Sequence, residues 1–172
     1  MNDREPAPGG LALVAALVNT LDIGTGTDAL DTAEGRASFG IVAADVPGAR
    51  ELRESLRAVC LVHAGHAPHR EVTPLGELLA RAPLRVAVDA VDGSARLVPV
   101  HGDALASRVA AAVARAHAAG TWARLKACEA DDCHGAYYDR SPAGRGRWCD
   151  MAVCGARAKM RRYRAKGKER TG

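Results

Sequence analysis

Large aromatic side chains are almost missing from the first two-thirds of this chain. Phe39 is the one Phe, Tyr or Trp before residue 120, and Trp122, Tyr137, Tyr138, Trp148 and Tyr163 complete the set. A core over residues 1–120 must therefore be built from Leu, Val and Ala, whereas a small C-terminal module can use a few large rings to supplement its limited burial. Two different routes to stability point to two modules. Long apolar runs are lacking as well: nothing approaches the roughly 20 consecutive apolar residues of a membrane span. The segment Leu11–Val18 is too short for one and reads as a core helix. The first ten residues set Arg4 against Asp3 and Glu5 and so lack the positive start of an export signal. The expectation is a cytoplasmic protein with no membrane partner. Nucleophile elbow, phosphate-binding glycine loop, HExxH and paired-carboxylate patterns are also missing, so an enzyme is not expected.

What is present is concentrated at the C-terminal end. Four of the five cysteines form two matched pairs, Cys128-x4-Cys133 and Cys149-x4-Cys154, separated by fifteen residues. Evenly paired thiols in a reducing compartment point to one structural Zn2+ per chain, because zinc takes four thiolates tetrahedrally. Two disulfides would need an oxidising compartment, and unlinked buried thiols would not explain the matched gaps. Four thiolates also close the coordination sphere, which argues against a catalytic metal. His134, beside Cys133, is a rival ligand, but the tetrahedron is complete without it.

Charge is partitioned the same way. The chain carries +4 in all, yet residues 140–172 hold eleven Lys/Arg against Asp150 and Glu169, leaving the preceding 139 residues net acidic. A basic end on an acidic body favours a polyanionic partner through that end alone. The candidate nucleic-acid contacts are Arg147, Arg157, Lys159, Arg161, Arg162, Arg164 and Lys166. Arginine pairs phosphates bidentately, and each neutralised phosphate releases counterions. In a helix starting near residue 155, Met160 and Tyr163 are spaced to pack back on the metal module. Trp148 and Tyr138 would fill the small core around the metal or stack on unpaired bases.

Along the body, spacing predicts a helix over 11–21 with Leu13, Leu17 and Leu21 in register, then a loop over 23–35. Phe39–Ala44 fits a short helix or an apolar strand. A second helix runs from Pro47 to about Ala64, with Leu52, Leu56, Val59 and Cys60 on its apolar side. A short helix follows over 75–81, opened by Thr73 and Pro74. Leu84–Val88 and Arg96–Val100 read as a hairpin around Asp92-Gly93-Ser94. The Ala-rich stretch from Ala104 to about Lys126 reads as the longest helix, running rigidly into Cys128. His63, His66 and His69 recur every third residue, but Gly65 and Pro68 end the helix among them, so the rings need not converge on a metal or effector. Asn19, Thr20 and Asp22 would serve as a polar helix end or line an effector pocket. Between the cysteine pairs, 136–139 and 146–148 read as two short strands around a turn.

The stretch Cys128-x4-Cys133, Tyr138-Asp139-x-Ser141 and Arg147-Trp148-Cys149-Asp150-Met151-Ala152-x-Cys154-Gly155-Ala156-Arg157-Ala158-Lys159 closely resembles the CGNR-type zinc finger of bacterial transcription regulators. Those proteins carry an N-terminal, mainly helical ABATE domain associated with stress-induced regulation. Residues 10–122, including Leu17-Val18-Asn19-Thr20-Leu21, are more loosely similar to it, and 124–168 to the finger. The resemblance implies that Cys128, Cys133, Cys149 and Cys154 hold zinc, and carries Arg157 and Lys159 over as basic positions. Ala156 stands where the family has Asn, which removes a residue able to contact a base, a phosphate or a helix end. The fold class expected is α+β: a mainly helical N-terminal domain with a β-hairpin, then a treble-clef-like four-cysteine finger with a basic C-terminal helix. The function expected is a zinc-binding transcriptional regulator that binds DNA through the finger and basic helix. Its body would dimerise or sense a small-molecule effector. A protein-interaction adaptor with a structural zinc and an RNA-binding protein are the alternatives.

Overall fold

A computed structural model of the chain describes residues 5–169, with side chains through Ala165. It mixes helix with two small sheets. Helices α1 (Leu11–Val18), α2 (Ala33–Ala37), α3 (Val46–His63), α4 (Leu75–Ala80) and α5 (Leu105–Ala118) form the body together with an antiparallel hairpin of β1 (Leu84–Val88) and β2 (Ala95–Pro99). Strands β3 (Leu125–Ala127) and β4 (Ala136–Tyr138) pair antiparallel, and α6 (Ala156–Glu169) ends the described chain.

The body core is aliphatic, as the scarcity of rings requires. Leu11, Val14, Leu17 and Val18 of α1, Leu52, Leu56, Cys60 and Leu61 of α3, and Leu105, Val109 and Ala112 of α5 are buried together around Leu30 and Phe39. The segment read as loop over 23–35 contains more structure than its glycines suggest. Asp28 caps a 3-10 turn at Ala29–Asp31 by accepting from the Leu30 N–H, and the Thr32 hydroxyl accepts from Gly35 to start α2. Phe39–Ala44 is neither helix nor strand over most of its length; a 3-10 turn at Ala43–Asp45 leads into α3.

Two expectations need correction. The Ala-rich helix stops at Ala118, not near Lys126, because Gly120 takes φ +67° and turns the chain, so α3 is the longest helix. A 3-10 turn at Trp122–Arg124 and strand β3, rather than a helix, therefore deliver Cys128. Residues 146–148 are not a strand; the partner of 136–138 is 125–127, so the small hairpin encloses the first cysteine pair instead of lying between the pairs. Leu125, Ala127 and Ala136 of this hairpin are buried in the same core as α1, α3 and α5. The strands that frame the first cysteine pair thus help to complete the body's core.

Beneath that core α3 carries a buried ionic network. Arg53 donates to Asp28 (2.7 Å), to Glu54 (2.7 Å) and to the Thr20 hydroxyl (3.1 Å). Glu54 also receives Arg57 at 3.3 Å, His69 at 3.0 Å and Arg70 at 3.6 Å. Burial alone would raise the Glu54 carboxyl, but the Arg53 hydrogen bond and the surrounding guanidinium charges bring it below the ordinary carboxylate value. Fully buried Arg57 reaches past this network and donates to Val18 O (2.9 Å) and to His134 O in the cysteine loop (3.0 Å).

Candidate metal centre and basic helix

Strand β3 ends at Cys128, whose N–H donates to Gly135 O at 2.9 Å, so the hairpin ladder closes the loop that holds the first pair. Within the loop, the N–H groups of Cys133 and His134 both donate to Ala130 O, at 2.8 and 3.0 Å. His134 sits at φ +43°, a left-handed conformation that turns the chain back into β4. Its ring nitrogen engages Cys128 O at 3.0 Å, which spends the side chain on the backbone of the loop. Asn19, the residue that caps the C-terminus of α1, clasps β4 from the side: its amide nitrogen donates to Ala136 O (3.0 Å) and its oxygen accepts from Ala136 N–H (2.7 Å). A side chain here does what an adjacent strand would do.

The second pair is arranged by a different device. After Cys149, the Asp150 carboxylate accepts from the N–H groups of Ala152 (2.7 Å) and Val153 (3.0 Å), capping one wide π-type turn, Met151–Gly155, that presents Cys154 and runs straight into α6. Gly155 permits this packing: a Cβ there would stand 3.1 Å from Met151 Sδ and 3.3 Å from Trp148 Cδ1. Buried Lys126 of β3 meets Asp139, which lies between the pairs, at 2.9 Å. Asp139 also accepts from Ser141 and Gly146 N–H groups, which fixes the 139–146 loop. Burial would raise Asp139, yet these hydrogen bonds hold it well below the usual carboxylate range.

The four sulfurs converge. Sγ atoms of Cys128, Cys133, Cys149 and Cys154 all lie within 4.8 Å of one another, with Cys133–Cys149 at 3.6 Å and Cys149–Cys154 at 3.7 Å. A tetrahedron with Zn–S arms of about 2.3 Å has edges of about 3.8 Å, so the spacing suits zinc. Without a cation the quartet must share protons: the hydrogen bond from Cys128 holds Cys133 far down, while bonding to the neighbouring thiols pushes Cys149 far up. A divalent ion replaces those protons, so loading is coupled to proton release. Arg157 donates to Cys154 Sγ at 3.2 Å and pairs with Asp132 at 3.0 Å, supplying a positive group to the rim of the thiolate cluster. These Cys residues are the one group of three or more His, Cys, Asp or Glu side chains able to share a metal among the described residues.

Residues 124–167 match the family model of the CGNR zinc finger. This stretch contains all four ligands, so the centre is a zinc-finger site for one metal ion per chain. No curated protein matches the chain significantly.

Several other sequence candidates take up separate tasks. His63 engages Leu125 O at 2.9 Å and packs edge-on to Trp122, His69 bonds to Glu54, and His66 faces Glu129 at 3.7 Å, so the three rings do not converge. Thr20 donates to Leu17 O (2.8 Å), and Asp22 caps a turn at Thr25 N–H (3.1 Å). Trp148 packs on the small cysteine core, and Tyr138 packs on the body core.

On α6 the expected packing of Met160 and Tyr163 against the module does not occur: both are exposed, and Ala158 is the residue that faces inward. Arg157 and Arg161 lean toward Asp132, and Arg147 forms a two-pronged pair with Glu129 while lying over the Trp148 ring. Lys159, Arg162 and Arg164 are exposed and form no ion pair among the described residues. The Lys166 side chain lies outside the described residues. Ala156 opens α6 with its side chain exposed. No local pattern signals the clasp by Asn19, the reach of Arg57, the buried Lys126–Asp139 pair or the Arg157–thiolate contact. Each joins residues distant in the chain or depends on an ordinary charged residue being buried.

No helix among the described residues is long and apolar enough to cross a membrane.

Proposed function

We propose that the protein is a non-enzymatic transcriptional regulator that binds duplex DNA through α6. In this reading the four-thiolate zinc site is structural and treble-clef-like, and fixes α6 on the body. The observation that carries it is the surface of α6: Lys159, Arg161, Arg162 and Arg164 are all exposed, while Ala158 and the Arg157–Cys154 contact tie the helix to the metal centre. An outward helix whose described charged side chains, Arg157 to Arg164, are all basic suits phosphate contact and entry into a major groove. Arg147 and Arg157, already paired with acids, serve as positioning groups, leaving Lys159, Arg162 and Arg164 as the primary contacts. Lys166 extends the same basic run in sequence.

The body, similar to an ABATE-type domain over residues 10–122, is the regulatory part, working by dimerisation or by sensing a small molecule. A cleft of about 910 Å3 supports sensing, since His66 and His69 of the body, Glu129 and His134 of the cysteine loop, and Arg161 and Arg162 of α6 line it together. A ligand there would touch both the body and the helix proposed to read DNA.

Fluorescence anisotropy with duplex DNA, single-stranded DNA and RNA at two salt concentrations tests the reading. Preferential, salt-sensitive binding of duplex DNA is expected. Preference for RNA would favour the RNA-binding alternative, and absence of binding to all three at low salt would favour an adaptor.

A further inference from the structure

The β1–β2 hairpin carries an apolar face that is exposed over most of its length, with Leu84 and Pro99 at its base half-buried. The register pairs Leu84 with Pro99, Val86 with Leu97 and Val88 with Ala95, so all six residues of one face are apolar, while Arg85 and Arg96 fall on the other. Val86, Val88 and Leu97 are 62%, 65% and 37% exposed, and Val91 at the tip is 96% exposed. None of these residues belongs to either buried core.

The hydrogen bonds identify the available edge. Asp89 N–H donates to Ser94 O (2.8 Å) and Val100 N–H to Pro83 O (3.0 Å). Hydrogen-bonded pairs alternate along an antiparallel ladder. Arg85 and Ala87 therefore turn their backbone groups toward β2, and Leu84, Val86 and Val88 turn theirs outward. The outer edge of β2 presents Ala95, Leu97 and Pro99 instead, and Pro99 has no N–H to give. The sheet holds only these two strands among the described residues, so the β1 edge is the one left complete for pairing.

We infer that two copies of this chain pair antiparallel through their β1 edges, centred on Ala87. In that register Val86 meets the second copy's Val88 and Val88 meets its Val86, so the outward N–H and C=O groups of both residues are matched. Arg85 then stands directly opposite the second copy's Asp89 on the other face, giving two symmetry-related charge pairs. A register centred on Val86 keeps an apolar match but sets Arg85 diagonal to the second copy's Arg85 as well as to its Asp89. A two-stranded ribbon becomes a four-stranded sheet, which is the more stable size. The contact is small for a permanent interface, so the dimer dissociates on dilution. It bears on the DNA-binding proposal only by doubling the number of α6 helices presented, and its test contains no nucleic acid.

Sedimentation velocity on the full zinc-loaded chain is the test. A concentration-dependent dimer is expected below about 100 μM. Val86→Lys should weaken it at least roughly tenfold, and Arg85→Asp should weaken it by about the same factor through like-charge placement against Asp89. Adding Asp89→Arg to Arg85→Asp should restore association, while Ala95→Lys on the outer edge of β2 should leave it unchanged. Far-UV circular dichroism and one zinc per chain verify that each variant is folded. A monomer throughout this range, Val86→Lys associating as the parent does, or a double variant no tighter than Arg85→Asp alone would overturn the inference.

Discussion

The body and the cysteine module solve the same problem with opposite materials. The body buries Leu, Val and Ala from three helices and places a network of Asp28, Arg53, Glu54 and Arg57 alongside, every member of it buried. The module has a small core of four cysteines with Ala130, Tyr137 and Trp148, too little apolar area to hold itself together without the metal. They are nevertheless not independent. Strands β3 and β4 belong to the body's core through Leu125, Ala127 and Ala136, while Cys128 at the end of β3 belongs to the metal site. Asn19 and Arg57 reach from the body to the backbone of the module. Metal-based and hydrophobic stabilisation therefore meet in one strand pair, and each should be felt by the other.

Breaking the metal side should have the largest effect. Cys149→Ser removes a ligand shared with two close sulfurs and is expected to cost several kcal/mol, comparable to a small domain's whole stability. Zinc content should fall below one per chain, and amide exchange should accelerate in β3 and β4 as well as in the cysteine loops. Breaking the ionic side comes next. Glu54→Gln leaves Arg53 and Arg57 buried with an uncompensated charge, expected to cost about 3–5 kcal/mol in denaturant unfolding. Because the folded Glu54 and Asp28 carboxyls lie below their ordinary values, the stability they contribute is fully present only above about pH 5. It is lost as pH falls through the lowered values. The acid limb of a stability profile should therefore shrink in the Glu54 variant.

Smaller effects sharpen the join. Asn19→Ala leaves both backbone groups of Ala136 without the partners they have now, at about 1–3 kcal/mol, and should raise exchange in β4 without releasing zinc. Arg164→Ala touches neither core. It should leave thermal stability unchanged within about 0.5 kcal/mol and lower the salt slope of DNA binding by roughly one.

Much of this organisation was legible in sequence because it is local. The matched cysteine gaps identified a quartet that does converge, the apolar spacing located α1, α3 and the β1–β2 hairpin, and the scarcity of rings foretold an aliphatic core. The errors arose where tertiary packing overrode local pattern. Ala-rich spacing continues past residue 118, but the backbone at Gly120 ends the helix. Residues 146–148 have strand-like composition, yet β3 had already taken β4 as its partner. Met160 and Tyr163 are correctly spaced for packing, but the π-type turn before α6 directs Ala158 inward instead. Arg53, Glu54 and Arg57 would pass for a solvated helix face; only the fold brings Asp28, Thr20 and His134 close enough to satisfy them.

Whether the metal site and the body's core share one structural element is decided by calorimetric unfolding before and after zinc removal under reducing conditions. A single transition that shifts down by roughly 10 °C or more on chelation, with β3 losing exchange protection, is expected. A body transition unmoved by chelation, with only the residues after Ala127 losing structure, would show instead that the two are independent.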